Sequence, residues 1–226
     1  MGLPPPRLVT ERLVIRTADT GDVRALVEYA VGEARESARW APIRPASRFT
    51  AAFWRKHVAE LEENRRLGRG LALWLWTRGR SPRLVGHVSL SNVTRGIFQA
   101  AHLGYALRKS HEGRGLMSEA LRAIVPYAFG RMGLHRLMAN YMPANRRSAR
   151  VLRRLGFRRE GMARAYLLIA GRWRDHVLTS LVNPGWEPSP GDDAARAAGV
   201  SAPRRAPGAR TRRRRTASSA SGRGRR

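Results

Sequence analysis

The sequence has no cysteine, and this absence removes several chemistries at once. Disulfide bonds, cysteine nucleophiles and thiolate metal sites are all excluded. A chain without cysteine fits a reducing compartment, so we expect a cytoplasmic protein.

Long hydrophobic runs are also absent. The longest apolar stretch covers residues 71–76, whereas a membrane-spanning helix needs about 20 such residues. The first residues, Met1-Gly2-Leu3, lead directly into Pro4-Pro5-Pro6 and do not form the apolar core of a signal peptide. We therefore expect no contact with a membrane.

Acidic residues are scarce: 16 stand against 44 basic ones, for a net charge of +28. Residues 187–226 hold 11 arginines and three acids, so residues 1–186 carry +20. Such a charge attracts polyanions, which makes ribosomal RNA, other nucleic acids and an anionic cofactor candidate partners. Lysine occurs only at positions 56 and 109, so a mutational bias towards arginine is an alternative explanation. Charge alone does not establish nucleic-acid binding.

The composition divides the chain into two parts. Residues 1–186 contain the large apolar side chains and are predicted to form one domain. Residues 187–226 are rich in Ala, Pro, Gly, Ser and Arg. A segment of that composition cannot bury enough surface to offset its ordering entropy, so we expect a disordered, arginine-rich tail.

Hydrophobic periodicity predicts a mixed α/β (α+β) fold. The pattern gives the order β-α-α-β-β-β-α-β-α-β-β, which is a mixed sheet with helices on its faces. The predicted strands are 8–17, 71–77, 83–91, 100–108, 135–142 and a final hairpin of 165–169 and 173–182; the predicted helices begin near 23, 50, 116 and 145.

The stretch HEGRGLMSEA, residues 111–120, joins a predicted strand to a predicted helix. Gly113 and Gly115 allow the backbone to approach a ligand closely, and Arg114 adds positive charge. The first N–H groups of a helix lack intrahelical partners and lie at the positive end of its dipole. The loop and the N–H groups of Leu116, Met117 and Ser118 are therefore predicted to bind a pyrophosphate.

A second element, NRRSARVLRRLGFRREG, begins at Asn145 and follows another predicted strand. Asn145 and Ser148 lie one helical turn apart. With this element the chain resembles the GNAT (GCN5-related N-acetyltransferase) family, in which Gln/Arg-x-x-Gly-x-Gly/Ala holds the coenzyme A pyrophosphate and Asn-x-x-Ser/Ala…Leu-Gly-Phe marks the second half of the cofactor groove. This chain departs from the first pattern at Glu112 and at Met117.

Six further blocks make the resemblance specific, and together with the opening strand they cover roughly residues 8–186. The blocks are SNVTRG (91–96), HLGYAL (102–107), EGRGLMSEAL (112–121), HRLMANYMPANRRS (135–148), LRRLGFRREG (152–161) and YLLIAGRWRDHVLTSL (166–181). They are similar to those of bacterial family members that acetylate the N-terminal alanine of small-subunit ribosomal protein S5. The resemblance implies that acetyl-CoA is the cosubstrate and that this alanine amine attacks it directly in a ternary complex.

The resemblance also implies where acetyl-CoA binds. In this fold two parallel strands separate, here 100–108 and 135–142, and the acetyl-pantetheine arm lies between them. Backbone groups of Ala106, Leu107 and Arg108 would hold the arm and polarise the thioester carbonyl. The remaining cofactor-binding residues implied are Glu112, Gly113, Arg114, Gly115, Leu116, Met117, Ser118 and Asn145.

Roles in catalysis and acceptor binding follow from the same resemblance. Ser148 and Asn145 are the candidate catalytic residues. Ser148 would be the acid for the departing thiolate, and capping of its short helix is the alternative for Ser148. A protein α-amino group has a pKa of about 7.7–8.0, so a strong base is not essential. The residues expected to line the acceptor slot are Trp40, Arg44, Tyr105, Tyr166 and Trp173; for Trp40 and Arg44 ordinary loop packing is the alternative. No histidine pair has metal-ligand spacing, so we expect no metal.

Two alternatives remain for the function. The acceptor could instead be another protein N-terminus, a small amine or an antibiotic, because fold does not fix function. The chain could also be a basic ribosome assembly factor that contacts ribosomal RNA through its surface and tail, a role compatible with the enzyme activity. We expect a monomer or a weak dimer.

Overall fold

The computed structural model describes residues 4–188. The predicted tail, 187–226, lies outside the described residues except for 187 and 188. Eight strands and four α-helices follow one another along the described chain: β1 Arg7–Val9, β2 Leu13–Arg16, α1 Val23–Glu36, α2 Ala51–Arg66, β3 Leu71–Thr77, β4 Leu84–Thr94, β5 Ala100–Leu107, α3 Leu116–Gly130, β6 Arg136–Met138, α4 Arg146–Arg154, β7 Arg158–Ile169 and β8 Arg172–Val182.

The strands form one mixed sheet in the order β1-β2-β3-β4-β5-β6-β8-β7. Neighbouring strands are antiparallel except β5 and β6, which run parallel. That parallel pairing covers only Ala100 to His102 against Arg136 to Met138, and beyond it the two strands have no paired residues. The predicted α/β fold and its pair of separating parallel strands are confirmed.

Alternation along β3 explains how the sheet is covered on both faces. Leu71, Leu73 and Leu75 belong to one core cluster with residues of α3 and α4. Trp74 and Trp76 point to the opposite face and pack in a second cluster with α1 and α2. The period-two pattern of a strand thus buries alternate side chains under different helix pairs.

Three element boundaries differ from the sequence prediction. The single strand expected at 8–17 is a hairpin, because Thr10 turns the chain. The Thr10 backbone N–H donates to the Leu13 carbonyl, and the Thr10 hydroxyl bonds to both the N–H and the carbonyl of Leu13. The strand expected at 135–142 ends at Met138, with only an isolated bridge at Tyr141. The strand expected to start at 165 begins at Arg158, which makes β7 the long edge strand of the sheet.

Local hydrogen bonds and backbone conformations mark the ends of several elements. The Thr50 hydroxyl accepts a hydrogen bond from the Phe53 N–H at the start of α2. The turn between β7 and β8 places Ala170 and Gly171 at φ of 48° and 73°, the conformation that a two-residue hairpin favours. No helix within residues 4–188 has the length and apolar character to cross a membrane.

Candidate active site

The glycine loop has the backbone conformation that its sequence predicts. Gly113 and Gly115 have φ of 77° and 78°, in the left-handed region that side chains disfavour. No atom lies within 4 Å of a Cβ placed on Gly113, and Arg12 Nη2 at 3.6 Å is the nearest to one on Gly115. Gly115 is also the N-cap of α3, and no side chain caps that end of the helix. The loop therefore leaves open space in front of free helix N–H groups, which fits a pyrophosphate.

The side chains that begin α3 point away from this space. Leu116, Met117 and Ser118 are all buried, and Met117 packs in the core cluster on that face of the sheet. The long Met117 side chain that departs from the family pattern therefore does not fill the cradle. These three residues can bind a ligand only through their backbone N–H groups.

Arg12, in the turn between β1 and β2, braces the glycine loop from outside. Its guanidinium donates to the Arg114 carbonyl (2.9 Å) and to Glu119 Oε2 (2.7 Å). Glu119 Oε1 also accepts from the Thr10 hydroxyl (2.6 Å) and the Arg12 N–H (2.8 Å). Burial acts to raise the pKa of Glu119, but the bonds from Thr10 and Arg12 outweigh it and the pKa is lowered. These contacts could not be predicted from the sequence, because Arg12 lies more than 100 residues from Arg114 and Glu119.

Glu112 forms an ion pair with Arg147 in the first turn of α4. The carboxylate is thus directed to a cation on the other helix, although it adjoins the proposed phosphate site. The pair joins the two elements that the sequence identified as halves of one groove.

The backbone of β5 shows which groups face the gap between the parallel strands. The Arg108 N–H donates to the Val85 carbonyl (2.7 Å), and the His111 N–H donates to the Arg108 carbonyl (2.9 Å). Bonding directions alternate along an antiparallel pair, so Ala106 also directs its backbone groups to β4, whereas Tyr105 and Leu107 direct theirs to the gap. The backbone contact predicted for Ala106 and Arg108 therefore does not fit this ladder, and the one predicted for Leu107 does.

Ser148 and Tyr105 meet across this groove. The Tyr105 hydroxyl lies 2.8 Å from the Ser148 hydroxyl, and burial raises the pKa of Tyr105 to about 12. Asn145 is the N-cap of α4, and its side chain accepts from the Ser148 N–H (3.1 Å). Asn145 rather than Ser148 thus caps the helix, and the Ser148 side chain is left to face β5. The predicted acceptor residue Tyr105 lies on the α4 side of the sheet instead.

The other predicted acceptor residues lie on the opposite face. Trp40 and Arg44 belong to the segment joining α1 and α2, and Trp173 lies beside the β7–β8 turn with 65% of its surface exposed. The Ala170 N–H donates to the Ala41 carbonyl (3.1 Å), and Ile43 lies 3.3 Å from a Cβ placed on Gly171. The segment and the hairpin therefore touch and form an arch beside the sheet.

Tyr166 and Asn140 connect this arch to the gap. The Asn140 side chain donates to the Tyr166 hydroxyl (3.2 Å), and Asn140 follows β6 where the parallel pairing has ended. Asn140 was not among the residues predicted from the sequence. Its position near the end of a predicted parallel strand was the available signal, because ligand sites in such sheets lie beyond the carboxyl ends of strands.

These features define a class of protein: an α/β domain in which two parallel strands separate between a glycine loop and an Asn-capped helix. Residues 12–158 match the acetyltransferase (GNAT) domain family, and the chain belongs to that family. It is an acetyltransferase.

Comparison with known proteins extends this similarity over most of the chain. The chain is 40% identical over 186 residues to the [ribosomal protein uS5]-alanine N-acetyltransferase of Escherichia coli (strain K12), covering 82% of this chain and 95% of that protein. A crystal structure of ribosomal-protein-S5-alanine acetyltransferase from Vibrio fischeri matches with a TM-score of 0.78 and 34% identity, over 81% of this chain and 100% of that one. Mycobacterium smegmatis RimJ in complex with CoA-disulfide matches with a TM-score of 0.73 and 27% identity, over 86% and 94%.

Proposed function

We propose that this protein transfers the acetyl group of acetyl-CoA to the N-terminal alanine of ribosomal protein uS5 (S5). The observation that carries the proposal is the two-part groove, with its glycine loop on one side and the Asn145–Ser148 turn on the other. The similarity to the Escherichia coli enzyme over nearly its whole length supports the choice of acceptor.

The groove supplies binding groups along the length of acetyl-CoA. Free N–H groups at the start of α3 would hold the pyrophosphate, and Leu107 and Tyr105 would bond the pantetheine arm through their backbone. When bound, acetyl-CoA supplies an acetyl group activated as a thioester. Fixed backbone donors in the gap would polarise its carbonyl without reorganisation during the reaction.

Proton transfer to the departing thiolate is assigned to the Tyr105–Ser148 pair. Tyr105 keeps its proton at neutral pH, because burial raises its pKa to about 12. A protonated Tyr105 can donate to Ser148, and Ser148 can donate to the sulfur in turn. This assignment moves Tyr105 from the acceptor slot, where the sequence placed it, to the cofactor side.

The arch supports a polypeptide acceptor rather than a small amine alone. Ile43 of the α1–α2 segment and the cross-strand partners Leu168 and Trp173 of the hairpin are large apolar side chains that remain 49–77% exposed. Such a surface would contact residues that follow the reacting alanine. A chain terminus would enter beneath the arch, where Tyr166 borders the gap.

The decisive experiment is intact-mass spectrometry of purified, unacetylated uS5 incubated with enzyme and acetyl-CoA. We expect the mass gain of one acetyl group, located at the N-terminal alanine by fragmentation. A uS5 variant with proline at that position serves as control, because its secondary amine offers a different nucleophile. Unmodified uS5 beside an acetylated small amine would contradict the proposed acceptor.

A ribosomal RNA contact is a second proposal, and the arginines of α4 favour it. Helix α4 contains five arginines: Arg146, Arg147, Arg150, Arg153 and Arg154. Among the described residues, only Arg147 of these five has an acidic ion-pair partner. Binding of a ribosomal RNA fragment should fall steeply with salt concentration if this face is used, and replacing Arg150 and Arg153 by Gln should reduce that slope.

A further inference from the structure

A histidine outside every predicted role lies on the acceptor face of the sheet. His87 of β4 is the cross-strand partner of Ala106 in β5, so it adjoins the point where β5 and β6 have separated. Its ring packs against Trp74 and Tyr29, on the face opposite to Tyr105 and Ser148. The His87 side chain keeps 24% of its surface exposed, so it borders solvent rather than lying wholly in the core.

Helix α1 orients one nitrogen of this ring. His87 Nδ1 lies 3.3 Å from the Tyr29 hydroxyl and 3.8 Å from Glu33 Oε1. A carboxylate beside Nδ1 favours the tautomer that carries its proton there, which leaves a lone pair on Nε2. Nε2 takes no hydrogen-bond partner from the part of the chain that the structure describes.

The residues of β5 that lie beside His87 have small side chains or none. Gly104 and Ala106 are the residues of β5 nearest to His87 on its face, and a Cβ added to Gly104 would lie 2.9 Å from Ser89 Oγ. At Gly104 and Ala106, therefore, β5 has no long side chain between the imidazole and the gap. This leaves room for an amine to approach the thioester from the arch.

We infer that His87, held by Glu33 and Tyr29, is the proton acceptor for the amine of the incoming acceptor. The inference rests on the proposed function, because it assigns a role in that reaction. Nε2 takes one proton from the ammonium group and becomes part of an imidazolium whose charge Glu33 offsets. The freed amine forms the new C–N bond as the C–S bond breaks, and the thiolate takes a proton from Ser148. The acylated nitrogen then loses its second proton through water, which returns a proton to the Ser148–Tyr105 pair, so that the net release is the one proton held by His87.

The surrounding charges are consistent with this role. Burial lowers the pKa of His87, Glu33 acts to raise it, and Arg48 and Arg44 act to lower it. The imidazole is thus neutral at neutral pH, as a proton acceptor must be. Arg108 faces Tyr29 at 5.2 Å from its ring centroid, and Glu36 accepts from the Lys109 N–H, so the cations near the slot are partly balanced by acids of α1.

The test compares kcat/KM for an alanine-terminated uS5 peptide between wild type and His87→Gln across pH. Wild type should keep a plateau between the pKa of His87 and that of the amine. The variant should be roughly 100-fold slower within this range, the lower end of what general bases contribute, and its defect should shrink as the pH rises above about 8, where the α-amine is already neutral. A purely structural defect would not depend on pH in this way.

Three measurements complete the experiment. The acetyl-CoA dissociation constant of His87→Gln should stay within about twofold of wild type, since the residue lies outside the cofactor groove. His102→Gln is the matched control: His102 lies on the same face, where β5 is still paired with β6, and should retain wild-type rates. In NMR titrations, Glu33→Gln should lower the pKa of the His87 ring, because the carboxylate favours the imidazolium.

The possible results distinguish a failure of the His87 inference from a failure of the proposed function. Equal rates for wild type and His87→Gln at every pH overturn the inference and leave the proposed function intact. A wild type that does not acetylate the peptide contradicts the proposed function, and His87 is then judged by NMR alone. A His87 resonance whose pKa is unchanged by Glu33→Gln overturns the inference in either case.

Discussion

The ion pair between Glu112 and Arg147 connects the glycine loop to the first turn of α4. Each residue lies in one half of the groove, and the pair spans from one to the other. It explains how the family position usually held by Gln or Arg can carry a carboxylate here: Arg147 neutralises a charge that would otherwise face the phosphates.

Replacing the two partners singly should move coenzyme A affinity in opposite directions. Glu112→Gln removes a negative charge near the phosphates and frees Arg147, so the dissociation constant should fall by roughly two- to fivefold, the size of an exposed charge contact. Arg147→Gln leaves Glu112 unneutralised and should raise it by a similar factor. Calorimetric titration at low and high ionic strength measures both effects, which salt should reduce.

The double variant Glu112→Gln/Arg147→Gln closes this cycle and should bind with nearly wild-type affinity. Weaker binding by Glu112→Gln alone would show that the Glu112 side chain contacts the cofactor directly. That result would contradict the pairing as its main role.

Gly115→Glu should abolish acetyl-CoA binding. The substitution places bulk and negative charge in front of the free N–H groups of α3, at a residue whose φ of 78° already disfavours a side chain. We expect at least a 100-fold loss in affinity, measured as loss of the thermal shift that acetyl-CoA produces.

Gly96→Glu is the control for backbone strain. Gly96 has a φ of 71° and open space around a Cβ, but it lies between β4 and β5, away from the loop. It should bind acetyl-CoA normally. Retained binding by Gly115→Glu would refute the placement of the pyrophosphate.

The parts of the site that could be predicted from the sequence are those that require a particular residue type at a particular backbone conformation. Gly113 and Gly115 were recognisable because a tight loop before a helix requires positive φ. Asn145 was recognisable from its Asn-x-x-Ser spacing to Ser148, and the structure shows that it caps the helix there. The element order was predictable for the same reason, since strand and helix periods are local properties of the sequence.

The parts that were missed depend on contacts between distant segments. Arg12 and Glu119 meet because the β1–β2 hairpin packs beside α3, and no local pattern links residues 107 positions apart. His87 was not singled out from the sequence, because its partner Glu33 comes from the distant helix α1. Tyr105 was assigned to the wrong side because alternation along a strand tells which residues share a face but not which of the two faces carries α4.

Glu119→Gln should destabilise the fold in a pH-dependent way. Because the pKa of Glu119 is lowered on folding, its carboxylate contributes stability above the unfolded value of about 4.3, and this contribution is lost as the pH falls through the lower folded value. The variant should lose about 1–2 kcal/mol at pH 7, the scale of hydrogen bonds to a charged group. The difference from wild type should shrink in acid.

Urea denaturation at several pH values measures this effect. Glu11→Gln is the control, because Glu11 lies in the same turn with an exposed side chain and should change stability little. An unfolding free energy of Glu119→Gln equal to that of wild type at pH 7 would contradict the brace.

Trp173→Ala should weaken the binding of a polypeptide acceptor without affecting a small amine. Trp173 is 65% exposed beside the arch, so its indole is accessible to the residues that follow the alanine. We expect KM for a uS5 peptide to rise by roughly tenfold, the upper range for one exposed aromatic contact, with kcat nearly unchanged. Phe98→Ala, another exposed aromatic on the β4–β5 loop, should leave both constants unchanged. An equal loss for peptide and small amine would contradict acceptor binding by Trp173.

Ser148→Ala should lower kcat while leaving acetyl-CoA binding intact. Ser148 and Tyr105 are hydrogen-bonded to each other at 2.8 Å, so removing either hydroxyl interrupts the same proton path. We expect each single variant to lose roughly 10- to 100-fold in kcat, and the double variant Ser148→Ala/Tyr105→Phe to lose little more, because the effects of residues that act as one unit are not additive.

Tyr127→Phe, on the outer part of α3, is the matched control and should react at the wild-type rate. Losses that multiply in the double variant would show that the two hydroxyls act separately, and an unchanged kcat for Ser148→Ala would assign protonation of the thiolate to solvent.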